Sequence, residues 1–234
     1  MKMIFNIWSS IFDIIAPRAC TICGKRLSLS EAVICATCNL HLNRTNYHLS
    51  PYDNELARCF WGKIPIERCA AYLFYQHHTQ SSKMVYALKY GNRPDIGVVI
   101  GKTIAEAYAH NNFFEDIDAL LPVPLSKDRL KQRGYNQSEE LARGISETTH
   151  LPILTNVLRR NAFHQSQTKL DRWQRNENVK DVFSLINAEK ISGKHILIID
   201  DIITTGATIT AVGEELLKAE GVKISICSLG YAKD

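Results

Sequence analysis

One stretch constrains this chain more than any other: Ile196-Leu197-Ile198-Ile199-Asp200-Asp201-Ile202-Ile203-Thr204-Thr205-Gly206-Ala207-Thr208. Its first four residues are aliphatic and mostly β-branched, which reads as a short strand buried on both faces. Two adjacent carboxylates follow at the carboxyl end of that strand, where α/β sheets bind their ligands. A turn of small and hydroxyl-bearing residues then opens a helix. The unpaired N–H groups of that turn, the hydroxyls of Thr204, Thr205 and Thr208 and the positive end of the helix dipole all favour a phosphate. Gly206 lets the backbone approach the anion closely, and Ala207 keeps the turn small. An acid pair beside a phosphate cradle suits a sugar phosphate, with Asp200 and Asp201 accepting hydrogen bonds from ribose hydroxyls. The alternative is a polar strand end that merely caps a helix. The stretch holds no Gly-Lys-Ser/Thr of a Walker A loop and no G-x-G-x-x-G of a dinucleotide site.

The rest of the chain fits strands alternating with helices. Strands are expected at Cys69 to Tyr75, Ile117 to Val123, Asn156 to Arg159, Val182 to Leu185, His195 to Ile199 and Val222 to Leu229. Helices are expected at Ser82 to Lys89, Ile96 to His110, Ser138 to Thr148 and Ala207 to Lys218. This alternation predicts an α/β fold with a doubly wound, mostly parallel sheet. Asn161 to Asn178 is polar and reads as a long loop or flap. Asn43 to Cys59 is turn-rich and reads as a linker. The expected organisation is residues 1–58 as amphipathic helix, metal-binding ribbon and linker, and residues 59–234 as the α/β domain.

Four of the seven cysteines are paired as Cys20-Thr-Ile-Cys23 and Cys35-Ala-Thr-Cys38. Two C-x-x-C knuckles at this spacing close four thiolates around one Zn²⁺. Gly24 allows the first knuckle to turn tightly. Four protein ligands leave no open position, so the zinc is expected to be structural, fixing a segment too short to build its own core. Disulfides and a redox C-x-x-C are the alternatives. His41 and His48 lie nearby but are surplus to a full shell of four cysteines, and Cys59, Cys69 and Cys227 read as small buried residues.

The net charge of +4 is too mild to demand nucleic acid by itself. From Lys127 to Lys180, however, eleven Lys/Arg face six Asp/Glu. That local surplus favours an anionic ligand, either a pyrophosphate or a nucleic-acid backbone. Met1 to Pro17 has helical apolar spacing through Ile4, Ile7, Trp8, Ile11, Phe12 and Ile15, yet lacks a basic n-region and cleavage site. No apolar run approaches the roughly 20 residues needed to span a bilayer. The expectation is a cytoplasmic chain with no stable membrane insertion.

The stretch from Ile196 to Thr208 resembles the phosphoribosyl pyrophosphate motif of type I phosphoribosyltransferases. The chain as a whole resembles the ComF family (competence protein F, amidophosphoribosyltransferase-like). The resemblance runs through the zinc ribbon, Ala87-Leu88-Lys89-Tyr90, Leu121-Pro122-Val123-Pro124, Arg133-Gly134-Tyr135-Asn136-Gln137, and Gln167-Thr168 through Arg175, Asn178, Val179 and Phe183. Many members carry a second cysteine set; here only Cys59 and Cys69 remain, so one zinc is expected.

The resemblance implies that Asp200 and Asp201 face the ribose, in the region of a Mg²⁺ ion, while Thr204 to Thr208 hold the 5′-phosphate. It implies that the loop from Pro124 to Lys127 meets pyrophosphate, with charge from Lys89, Arg129, Lys131 and Arg133. It also implies that Asn161 to Asn178 closes over the reacting centre with Arg172 and Arg175. Lys127, Arg133 and Arg175 are thus the candidate catalytic residues. Three functions remain open. One is a Mg²⁺-dependent phosphoribosyltransferase connected to DNA uptake. Another is a protein that binds single-stranded DNA beside a competence helicase, with Tyr135, Phe163 and Trp173 available for stacking. The third is a sensor that binds phosphoribosyl pyrophosphate, or a related sugar phosphate, without turnover.

Overall fold

A computed structural model describes residues 17–161 and 182–233. The expected helix before Pro17, and Phe163, Arg172, Trp173 and Arg175 in the expected flap, lie outside the described residues. The elements are α1 (Ala36–Leu40), α2 (Glu55–Arg58), β1 (Arg68–Phe74), α3 (Gln80–Tyr90), α4 (Pro94–Ala109), β2 (Ala119–Pro122), α5 (Lys127–Arg133), α6 (Gln137–Thr149), β3 (Leu158–Arg160), β4 (Phe183–Leu185), β5 (His195–Ile203), α7 (Ala207–Leu216) and β6 (Lys223–Tyr231). Four strands form a parallel sheet in the order β1-β6-β5-β2, and β3 and β4 pair as a separate antiparallel ribbon.

Alternation along the strands sends side chains to two cores. On one face Ala70, Leu120, Leu197, Ile199 and Leu229 pack with Met84, Ile100 and Tyr108 of α3 and α4 and with Leu141 and Ile145 of α6. On the other, Ala71, Leu121, Ile196, Ile198 and Ile226 pack with Ile209, Val212 and Leu216 of α7. Helices therefore cover both faces, as the doubly wound expectation requires. On the first face α4 and α6 cross closely: a Cβ on Gly144 would stand 2.0 Å from the Val98 carbonyl oxygen.

The stretch read as a linker is built into this body. Phe74 N–H donates to Asn43 O and Thr45 N–H to Tyr72 O, so the chain runs antiparallel beside β1. The Asn54 side chain caps α2 and also donates to Cys69 O at 2.8 Å. Leu56, Ala57 and Phe60 are fully buried in the second core. The cysteine segment contributes Cys20, Ile22, Leu27, Val33 and Leu42 to the first core, beside the helices.

Candidate functional site

β5 lies between β6 and β2. The chain leaving β2 leads on to α6 on one face, and the chain leaving β5 enters α7 on the other. The two exits diverge and open a crevice at the carboxyl ends of these strands, a topological switch point. Asp200 and Asp201 stand there. They lie within the strand rather than beyond it, because β6 continues the ladder through Ile202↔Gly230 and Ile203↔Tyr231.

The acid pair is tightly held. Asp200 Oδ1 accepts from Ser138 Oγ at 3.1 Å and from the Asp201 N–H at 2.8 Å. Asp201 Oδ1 accepts from the Ile202 N–H at 2.6 Å and lies 3.1 Å from Lys89 Nζ. Burial, then the neighbouring Asp201 charge, pushes the Asp200 carboxyl up to about 7, against the opposing hydrogen bonds and Lys89. Two carboxylates with one close cation leave negative charge uncompensated. Such a pair fits hydroxyl donors or a hard divalent cation.

The turn that follows lines a small cavity of about 60 Å³ together with Asp200 and the start of α7. That is about twice a water's share of the liquid, room for one small anion. The N–H groups of Thr205, Gly206 and Thr208 make no hydrogen bond among the described residues; Ala207 N–H reaches Thr205 Oγ1 at 3.4 Å. Thr204, Thr205 and Thr208 are exposed to the cavity mouth. Gly206 caps α7 with φ +78, and a Cβ there would lie 2.9 Å from Phe60 Cε1. Phe60, from the stretch expected to be a linker, thus backs the cradle.

The motif from Arg133 to Gln137 works by positioning. Gly134 ends α5 in the left-handed region. Tyr135 OH donates to Leu88 O and accepts from Arg93 N–H, tying α3 to the start of α4. Asn136 caps α6 and donates to Val123 O at 3.0 Å, fixing the loop after β2. Gln137 Oε1 accepts from Arg133 Nη1 at 2.7 Å, and the Arg133 guanidinium lies 5.3 Å from the Tyr90 ring centroid. Arg133 and Lys89 line a common cavity with Lys131. Lys127 is exposed in the first turn of α5, with no hydrogen bond or ion pair to the acid pair. Tyr135, named above for base stacking, is half-buried, with its hydroxyl bonded to backbone.

One residue escaped the sequence reading. Arg160 ends β3, with its guanidinium 5.2 Å from the Phe183 ring centroid. It has no ion pair among the described residues. Burial, then the Arg129 charge, pushes it below the usual arginine range, while Asp200 pulls the other way. Arg160 is thus within electrostatic reach of both Arg129 and Asp200. The Arg159-Arg160 pair closing an apolar run was the signal for it in the sequence.

The Sγ atoms of Cys20, Cys23, Cys35 and Cys38 all lie within 4.8 Å of one another. Cys23 and Cys35 are 3.8 Å apart, which matches the edge of a tetrahedron with metal–sulfur bonds of about 2.3 Å and rules out a disulfide between them. Cys20 Sγ accepts from the Cys35 N–H and Cys35 Sγ from the Cys38 N–H. Burial pushes the Cys20 thiol up, but N–H donors from Cys23, Cys35 and Ile22 outweigh it and hold it at about 6. Burial and the neighbouring sulfurs push Cys38 up to about 12. The cluster accommodates all four thiolates once a cation neutralises them. Gly24, at φ +73, makes the knuckle turn. His41 Nδ1 bonds Thr37 O and His48 stacks on Tyr108, so neither histidine joins the cluster. Among the described residues no helix is long and apolar enough to cross a membrane.

Comparison with known proteins agrees with this geometry. The Phosphoribosyl transferase domain matches residues 111–233, just over half of the chain and the whole of the acid pair and cradle. The DNA utilization protein YhgH of Escherichia coli is 25% identical over 224 residues, 91% of this chain and 96% of that one. Competence protein F of Haemophilus influenzae is 32% identical over 116 residues, 49% of this chain and 51% of that one. Competence protein ComFC of Bacillus subtilis is 32% identical over 126 residues, 54% of this chain and 47% of that one. With its cradle inside the matched domain and its cysteine cluster ahead of it, the chain belongs to the phosphoribosyl transferase domain family, as a ComF-type member.

Proposed function

We propose that this chain binds phosphoribosyl pyrophosphate with Mg²⁺, and that it acts as a phosphoribosyltransferase-like protein connected to DNA uptake. The observation that carries the reading is the adjacency of an acid pair and an unfilled set of amide donors: Asp200 and Asp201 on one side, Thr205, Gly206 and Thr208 on the other. The ribose hydroxyls donate to the carboxylates, and the 5′-phosphate sits at the start of α7. The competence link comes from the names of the relatives.

Transfer at the anomeric carbon breaks its bond to the pyrophosphate oxygen. The bonding electron pair leaves with pyrophosphate, and the acceptor's lone pair forms the new bond. Negative charge grows on the leaving group, and this chain answers it with Arg160, which feels Asp200, with Lys89 beside Asp201, and with Arg133 in the cavity that Lys89 also lines. Mg²⁺, held by Asp200 and Asp201 directly or through ribose oxygens, would supply further charge neutralisation. Lys127 and Arg175 complete the candidate set drawn from the family resemblance. The four cysteines hold a structural Zn²⁺, since the set is closed and tied by N–H···S bonds.

Incubating the protein with phosphoribosyl pyrophosphate, Mg²⁺ and a pool of small metabolites and oligonucleotides tests the transferase part. Acceptor-dependent pyrophosphate release supports turnover. Protection of the protein against thermal unfolding by the donor, without release under any condition, selects the sensor reading instead.

A further inference from the structure

The chain leaving β1 carries Tyr75, His77 and His78 to the edge of α3. Tyr75 N–H donates to Tyr231 O at 2.8 Å, which holds this exit at the carboxyl ends of the strands, where the acid pair also stands. A tight turn follows: His78 takes a left-handed φ of +63, and Thr79 Oγ1 donates to Gln76 O at 2.7 Å. Between this turn, α3 and Thr21 of the cysteine segment lies a cavity of about 720 Å³. Its size falls within the range of about 300–1,000 Å³ that holds small organic ligands. Lys89 lines the cavity and also sits 3.1 Å from Asp201 Oδ1, so the cavity adjoins the acids assigned above to the ribose.

The chemistry of the lining is one-sided. Among the described residues no aspartate or glutamate lines it, whereas Lys83, Lys89, His77 and His78 do. Lys83 Nζ donates to a carbonyl, Ile22 O at 3.5 Å, which ties the cation to the cysteine segment without neutralising it. Tyr75 and His77 set their rings edge to face, with centroids 5.4 Å apart, and give the cavity a flat aromatic wall. Flat walls, basic groups and no acid select a flat ring that carries negative charge. An aliphatic anion would leave the rings uncovered, and a neutral ring would leave Lys83 unanswered. A second cavity that shares Lys89, of about 420 Å³, is lined by Lys131 and Arg133 and by no histidine. It suits the leaving pyrophosphate and leaves the larger cavity for the other reactant.

We propose that this cavity is the acceptor site, and that the acceptor is a small flat ring bearing a carboxylate. The inference rests on the donor reading above and adds the class of the second substrate. Lys83 meets the carboxylate, and Tyr75 covers the ring. In the transfer the lone pair of an acceptor nitrogen forms the bond to the anomeric carbon. The carbon–oxygen bond to pyrophosphate breaks, and its electron pair leaves on pyrophosphate. A proton released from that nitrogen passes to His77 or His78, the groups of the lining suited to accept it.

The test is calorimetry on the full chain with nicotinate, orotate and anthranilate, each beside its uncharged counterpart nicotinamide, uracil or anthranilamide. Each is titrated with and without phosphoribosyl pyrophosphate and Mg²⁺. At least one acid is expected to bind the donor-loaded chain at least about tenfold more tightly than its counterpart. Lys83→Met is expected to weaken that acid about tenfold or more. The same variant is expected to bind the donor as the unaltered chain does, which reports an intact fold. The proposal is overturned if no acid binds a chain that binds the donor, or if the neutral rings bind as tightly. It is also overturned if Lys83→Met keeps full affinity for the acid, or if the acid competes with the donor and so occupies the cradle. Acid binding by a chain that never binds the donor overturns the donor reading instead, and the acceptor role with it.

Discussion

Lys89 Nζ of α3 lies 3.1 Å from Asp201 Oδ1 of β5, and this single ion pair joins the helix that carries the exposed tyrosines to the strand that carries the acid pair. Both partners are largely buried, so the lysine acts as the close countercharge of a carboxylate pair that is otherwise supported by N–H and hydroxyl donors. Replacing Lys89 by Met leaves that pair uncompensated. The expected result is a loss of about 1–2 kcal/mol of stability at pH 8, measured by urea denaturation, because removing one partner of a buried pair costs more than the pair itself contributes.

Asp200 gives a pH signature. Its folded-state value near 7 stands above the unfolded one, so the fold carries no penalty from this group below about pH 4 and an increasing one as pH rises to about 7. Asp200→Asn keeps the acceptor oxygen for Ser138 and the Asp201 N–H while removing the charge. The variant is expected to be more stable than the parent by about 1–2 kcal/mol at pH 8, with the gain vanishing near pH 4. Denaturant curves at the two pH values measure it. Donor binding through an ionised Asp200 is expected to strengthen over the same rise in pH.

The cysteine cluster shares a core with α3 and α4, so its integrity reaches the body of the protein. Elemental analysis is expected to give one zinc per chain. Cys35→Ser is expected to remove it and to lower Tm by about 5 °C or more, since metal-binding energy in such a closed site is folding energy. A strong chelator is expected to reproduce the shift in the parent and not in the variant.

Arg160 lacks a carboxylate partner among the described residues and feels Arg129 nearby, so the proposed function assigns its charge to an anion rather than to the fold. Arg160→Gln is expected to weaken pyrophosphate binding about tenfold, measured by calorimetry, while leaving Tm within a degree or two. A large drop in Tm with unchanged pyrophosphate affinity would assign the residue to packing instead.

Much of this was legible in the sequence because the governing patterns are local. The aliphatic run at Ile196 to Ile199 and the small-residue turn before Ala207 specify strand, cradle and helix within a few residues, and the C-x-x-C pairs specify the cluster. What escaped depends on distant partners. β5 continues through Asp200 to Ile203 only because Gly230 and Tyr231 of β6 extend the ladder beside it. The stretch from Asn43 to Cys59 is polar enough to read as a linker, yet β1 supplies its backbone partners and a core receives Leu56 and Phe60. α5 buries no side chain and so shows no apolar stripe, although Ser126 and Gly134 mark its ends. The pair Tyr86 and Tyr90 lies off the buried stripe of α3 formed by Ser81, Met84, Val85 and Leu88, and both side chains are exposed.

The central claim is that the acid pair and the cradle together hold a phosphorylated ribose. Calorimetric titration of phosphoribosyl pyrophosphate with Mg²⁺ into the parent and into Asp200→Asn/Asp201→Asn tests it most directly. The account expects saturable binding by the parent and at least about a hundredfold weaker binding by the double variant, as two charged acceptors to ribose or Mg²⁺ are lost. Equal affinity in the two proteins, or no binding by a folded, zinc-loaded parent, would contradict it.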